Sequence, residues 1–157
     1  MTVTLSINRS VEARTWALQD GYRLLAYLQL GRSGANSGEV RRDDEVWQIS
    51  SRRRRPEEVV LGEPADPIVA FDRDTATVRG MPEPLPWTFS GRLSRSRAVL
   101  GGSEQAITLE TAGWRPQATV DVEGEWEHRD LVVLACFFAA IARRRRSTFV
   151  GGAVPGG

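Results

Sequence analysis

The chain has 157 residues, 41% hydrophobic and 26% charged, the size and make-up of one soluble domain that can bury its own core. Its 21 basic and 20 acidic residues leave a formal net charge of +1, so no overall basic field draws nucleic acid, and a nucleic-acid partner is not expected. Cys136 is the sole cysteine, which excludes an internal disulfide and leans towards a cytoplasmic setting.

Short alternating stretches fill most of the chain. Val3, Leu5 and Ile7 alternate with Thr4 and Ser6. Leu24, Ala26, Leu28 and Leu30 form one face of a longer strand after the Asp20-Gly21 turn. Trp47 and Ile49 follow the charged turn Arg41 to Asp44, and Ile68, Ala70 and Phe71 follow Pro64 and Pro67. Ala76 and Val78 follow Asp72-Arg73-Asp74; Trp87 and Phe89 follow Pro82, Pro84 and Pro86. Arg95 and Arg97 share one strand face, Ile107 and Leu109 follow Gly101-Gly102, and Ala118, Val120 and Val122 give the cleanest alternation of all. A period of two buries one face of a strand and solvates the other. Turn residues recur about every 8 to 12 residues, the spacing of an all-β barrel or sandwich.

The pattern breaks once. After Gly124 to Arg129 the apolar residues stop alternating and run from Leu131 to Ala142. That run predicts a helix over about 130–146, with Asp130 as its N-cap and Arg143 to Arg146 at the negative end of its dipole. About a dozen consecutive apolar residues coat a helix on every side, so it must be surrounded, and a membrane span needs roughly 20. A sheath of strands is the natural surround. Ala135, Ala139, Ala140 and Ala142 permit close approach, while Leu134, Phe137 and Phe138 fill the wider parts. Thr148-Phe149-Val150 reads as a last strand, and 151–157 as a flexible tail. A single domain over 1–150 follows. The N-terminal MTVTLSINRS lacks the basic region and apolar run of a signal peptide, which points to a cytoplasmic chain, at most peripheral at a membrane.

A β-rich chain closing on one apolar helix resembles the tubby C-terminal-like superfamily, which includes tubby proteins, phospholipid scramblases and plant LURP-one-related proteins. Two stretches carry the resemblance: Asp130 to Arg145, entered from GEWEHR, and the strand-turn-strand pattern Trp16 to Gly21 followed by Leu24 to Tyr27. The resemblance implies a closed or nearly closed antiparallel barrel of about a dozen strands around the C-terminal hydrophobic helix, here in a small bacterial member. The chain is shorter than most members, which leaves room for missing strands. It has no cysteine-rich acylation run, no proline-rich arm and no acidic loop with calcium-ligand spacing. Tubby proteins bind phosphoinositides through a lysine and an arginine; this chain has no lysine, and no particular arginine aligns with that pair.

No catalytic constellation emerges. His128 is the one histidine and has no sequence partner for acid–base work. Cys136, between Ala135 and Phe137, reads as an inert core thiol. One histidine and one cysteine do not make a zinc site, and Gly101-Gly102-Ser103 lacks the remaining residues of a phosphate loop, so neither metal nor cofactor is expected. The candidates are arginines: Arg52, Arg53, Arg54 and Arg55, and Arg143, Arg144, Arg145 and Arg146. A planar guanidinium fork suits phosphate and carboxylate. Against a purely functional reading, Glu57, Glu58, Glu63 and Asp66 follow the first run and can neutralise it, and cations are ordinary at a helix C-terminus. Of five tryptophans, four read as core and rim packing; Trp114, beside Arg115 and Pro116, reads as an exposed contact. The expectation is a non-enzymatic binding module that docks on an anionic membrane surface or a phosphoinositide-like ligand. The alternative is a protein-interaction module whose arginines meet acidic partner residues.

Overall fold

The computed structural model describes residues 2–32, 34–52, 54, 55, 57–92, 95–112 and 117–153, with side chains for all of these except 34, 35, 92 and 144–153. The alternating stretches form twelve antiparallel strands in one closed barrel. In chain order they are β1 Thr2–Arg9, β2 Thr15–Asp20, β3 Arg23–Gly31, β4 Gly34–Arg42, β5 Glu45–Ser51, β6 Val59–Glu63, β7 Asp66–Phe71, β8 Thr75–Val78, β9 Leu85–Arg92, β10 Arg95–Gly101, β11 Ala106–Ala112 and β12 Gln117–Glu123. Each strand pairs with its neighbours in sequence, and β1 closes on β12 from Thr2↔Glu123 to Ile7↔Ala118. Closure leaves no free strand edge. The short chain therefore still builds a complete barrel.

The inner wall is the apolar half of the alternation. Leu5, Ile7, Leu18, Leu28, Val40, Leu61, Leu100, Ile107 and Val120 are all at most 1% exposed. The outward half is polar, as in Thr2 and Thr4 of β1 facing Glu123 and Asp121 of β12. That is the reverse of a membrane barrel, whose apolar residues face outward. Among the described residues, no helix is long and apolar enough to cross a membrane.

The remaining helix, α1 (Arg129–Ala153), fills the lumen. No residue from Leu131 to Ala142 is more than 4% exposed. A helix with its side chains is about 10–12 Å wide, too large for an eight-stranded barrel, whose interior is filled by its own side chains. Twelve strands provide the room. Phe137 meets Trp16 edge-on at a centroid distance of 6.0 Å, and Phe71 meets Trp87 likewise at 4.8 Å. The helix runs closest to β4, where the inward positions are Gly38 and Val40. A side chain on Gly38 would lie 2.6 Å from the carbonyl oxygen of Gln29, so strand packing requires glycine there.

Several expectations need correction. The helix starts at Arg129, where the His128 carbonyl accepts the Val132 N–H at 2.9 Å. Asp130 thus lies inside the first turn, paired with Arg129 at 3.1 Å, and is not the N-cap. The helix continues through 148–150 and into 151–153, so no thirteenth strand forms there, and the rest of the expected tail, 154–157, lies outside the described residues. A started helix adds one hydrogen bond per residue at little cost, which overrides the β preference of Thr148 and Val150. Leu24 shares the phase of Ala26 and Leu28, but it lies at the barrel rim, past the bulge at Leu18/Gln19, and is 44% exposed. Of the tryptophans, Trp16, Trp87 and Trp126 are buried and Trp47 is partly buried against the core.

Candidate functional site

In an antiparallel barrel of consecutive strands, connections after odd strands lie at one end and those after even strands at the other. β12 is even, so the helix enters the lumen from the even end and leaves at the odd end. A direct contact agrees: the Arg143 guanidinium donates to the backbone carbonyl of Arg73, in the β7–β8 turn at the odd end. The two arginine runs, about ninety residues apart in sequence, therefore meet at one end of the barrel.

The β5–β6 connection carries the first run. It is closed by main-chain bonds: Arg52 N–H to Glu58 carbonyl at 3.1 Å, and Glu58 N–H to Arg55 carbonyl at 2.9 Å. This holds the arginine side chains outward, with 76% of Arg52 and 68% of Arg55 exposed. Glu58 pairs with both, at 3.1 Å and 3.2 Å. Of the acids expected to neutralise this run, Glu58 does so, whereas Asp66 pairs with Arg79 at the opposite end, 3.2 Å away. Arg54 is exposed in the same connection, and Arg53 lies outside the described residues. From the second run, Arg143 is half-buried at the rim; Arg144, Arg145 and Arg146 continue the helix, and their side chains lie outside the described ones. Trp114 also lies outside the described residues.

Sequence reasoning missed further members. Arg14 in the β1–β2 connection, Arg32 in β3–β4 and Arg73 in β7–β8 are exposed at the same end. Their signal was an excess: arginines outnumber carboxylates in and beside the connections at this end, although Arg23, Arg42, Arg79 and Arg129 stand in or beside connections at the other. The opposite end is its counterpart. Each of its six connections carries a carboxylate in or beside it, among them Asp20, Asp43, Glu63, Glu83, Glu104 and Glu125. A net charge of +1 thus conceals a polar molecule. The helix starts at the acidic rim, where carboxylates favour the positive end of its dipole.

The remaining candidates sit elsewhere. His128 is at the acidic end, its Nε2 3.9 Å from Glu127. Cys136 is fully buried in mid-helix, and burial pushes its thiol far above the usual range, away from the thiolate that reacts. Among the described residues, no group of three or more His, Cys, Asp or Glu side chains is placed to hold a metal ion.

Fold and site together define a closed β-barrel with its lumen filled by a helix, with an excess of arginine at one end and of carboxylate at the other. No protein-family model, curated protein or solved structure matches the chain.

Proposed function

We propose that the protein is a non-enzymatic binding module that docks through its arginine end on an anionic, phosphate-bearing surface, in the manner of the tubby C-terminal-like superfamily it resembles. The observation carrying this reading is the convergence of Arg52, Arg54, Arg55 and Arg73 with Arg143, where the helix leaves the barrel, on one rim. Basic residues near an anionic leaflet contribute about 1 kcal/mol each, so five or more on one face suffice for salt-sensitive peripheral binding. The filled lumen favours recognition on the outer surface, since the space where other barrels hold a ligand is occupied by Leu134, Phe137 and Phe138. The twelve-stranded closure around a C-terminal helix supports the kinship.

Vesicle flotation tests the reading. The protein should float with phosphatidylserine or phosphoinositide vesicles, not with phosphatidylcholine alone, and should be released by salt as the Debye length shrinks. Changing both arginine runs to glutamine should abolish flotation. Equal flotation of wild type and variant, or none by either, would refute it.

One observation favours an acidic protein partner instead. Glu58, Asp72 and Asp74 are interspersed with the arginines. Such a mixed pattern suits a patterned protein surface better than a uniformly anionic sheet. A co-purifying acidic partner, released by the glutamine variants in the absence of vesicle binding, would select this reading.

A further inference from the structure

The acidic end has a second property that is independent of whatever the arginines bind. Among the described residues five large hydrophobics are exposed, and four of them, Tyr22, Leu24, Tyr27 and Val46, lie on the neighbouring hairpins β2–β3 and β4–β5. Register links them: Tyr27 pairs with Arg41, and Arg41 pairs with Val46, so Tyr27 and Val46 flank one position of β4. Tyr22 is 103% exposed and Val46 53%, on a wall whose outward positions are otherwise mostly polar. Clustered exposed apolar side chains on a soluble surface mark contact sites, whereas scattered single ones do not.

The cluster borders a groove of about 390 Å³ lined by Leu24, Leu25, Tyr27, Arg41, Glu12 and Asp43. The cation in it is already engaged: Arg41 donates to Glu39 at 2.9 Å. The groove runs along the wall: Glu12, in the β1–β2 connection with exposed Arg14, lies at its arginine-rim end, and Asp43, with exposed Asp44 in the same two-residue turn, lies at its acidic end. An occupant must offer apolar side chains to the middle and positive charge to the acidic end.

We infer that this face is a docking site for a partner-protein segment in which apolar side chains are flanked by arginine or lysine. Charge complementarity selects this occupant, since the Asp43–Asp44 margin repels anionic lipid and acidic peptides, and the apolar side chains Tyr22, Leu24, Tyr27 and Val46 give a purely basic chain nothing to bury. The barrel then has two functional surfaces: the arginine rim for an anionic surface, and this stretch of wall beneath the acidic end for a basic, apolar segment. A module so built joins the two.

Fluorescence anisotropy tests the assignment, using a labelled heptapeptide of leucine, tryptophan and leucine between paired arginines. Controls replace its arginines with glutamates, or its apolar core with glycines. Wild type should bind the first peptide and neither control. L24S/V46S and D43N/D44N should each weaken binding by about tenfold, a 1.4 kcal/mol change. R52Q/R55Q should leave it unchanged, which separates this face from the arginine rim. All these positions are exposed, and circular dichroism verifies that each variant keeps its fold. No binding by wild type, equal binding of a control peptide, or variants that bind as wild type does would overturn the inference. Concentration-dependent self-association in sedimentation, lost in L24S/V46S, would also overturn it by naming a second copy as the occupant.

Discussion

Arg143, where the buried part of the core helix ends, hydrogen-bonds the main-chain carbonyl of Arg73 in the β7–β8 turn. The contact fixes where the helix leaves the barrel. Because the helix runs on to Ala153, the run Arg143 to Arg146 lies inside it and not, as expected, at the negative end of its dipole. One side chain thus links core to rim, and anything that loosens the helix also disturbs the arginine end.

Phe137→Ala measures how much the barrel depends on its helix. Phe137 is fully buried and packs edge-on against Trp16. Surrounding strands closed by hydrogen bonds cannot collapse into the vacancy. The expected loss is about 3–5 kcal/mol, read as a lower midpoint in urea unfolding with little change in slope. A loss below about 1 kcal/mol would mean that the helix is loosely held.

Gly101→Ala probes the wall. Gly101 sits at φ +103° at the end of β10, and a side chain there would meet the Gln105 carbonyl oxygen at 2.1 Å. Both the left-handed conformation and the backbone clash oppose alanine, so a destabilisation of about 2 kcal/mol is expected. Gly102→Ala next to it has nothing within 4 Å and should be nearly silent. Paired thermal melts of the two variants check the contrast.

Much of this architecture was legible as period and length. The alternation at Val3–Ile7 and Ala118–Val122 marks the two strands that close the barrel, and the unbroken run Leu131–Ala142 marks its contents. Two strands were not legible. β4, with Gly34, Asn36, Ser37 and Gly38, has the composition of a loop; it is extended because β3 and β5 pair with both its edges, and glycine at 38 lets the neighbouring strand approach. In β6 the adjacent Val59, Val60 and Leu61 blur the alternation, and Gly62 at φ +96° marks a bulge. These omissions hid the site. Which end a connection occupies depends on the parity of the strands before it, so the excess of arginine at one end becomes visible only once every strand is counted.

Glu39 should titrate below its ordinary value of 4.5, because Arg41 and Gln48 both donate to its carboxylate. A folded-state value below the unfolded one favours the ionised form in the native protein. The associated stability is present above the unfolded value and disappears as pH falls through the folded one. The pair is partly exposed, so the gain is at most about 1 kcal/mol. Carbon-detected NMR titration should show the Glu39 midpoint moving upward in Arg41→Gln, and an unmoved midpoint would contradict the assigned cause.

Glu58→Gln separates a structural from a functional role for the β5–β6 arginines. Glu58 pairs with Arg52 and Arg55, each more than two-thirds exposed, and such surface pairs contribute only about 0–1 kcal/mol apiece. Removing the carboxylate keeps the Glu58 main-chain bonds that shape the connection, so the fold should lose less than about 1 kcal/mol. The rim gains one unit of positive charge and two freed guanidinium groups. If those arginines serve to bind phosphate, affinity for phosphatidylserine vesicles should rise by about fivefold at low salt, at roughly 1 kcal/mol per basic residue. Were they only partners for Glu58, vesicle binding would stay constant while the melting temperature fell. Co-sedimentation and melting curves on the same preparations distinguish the two.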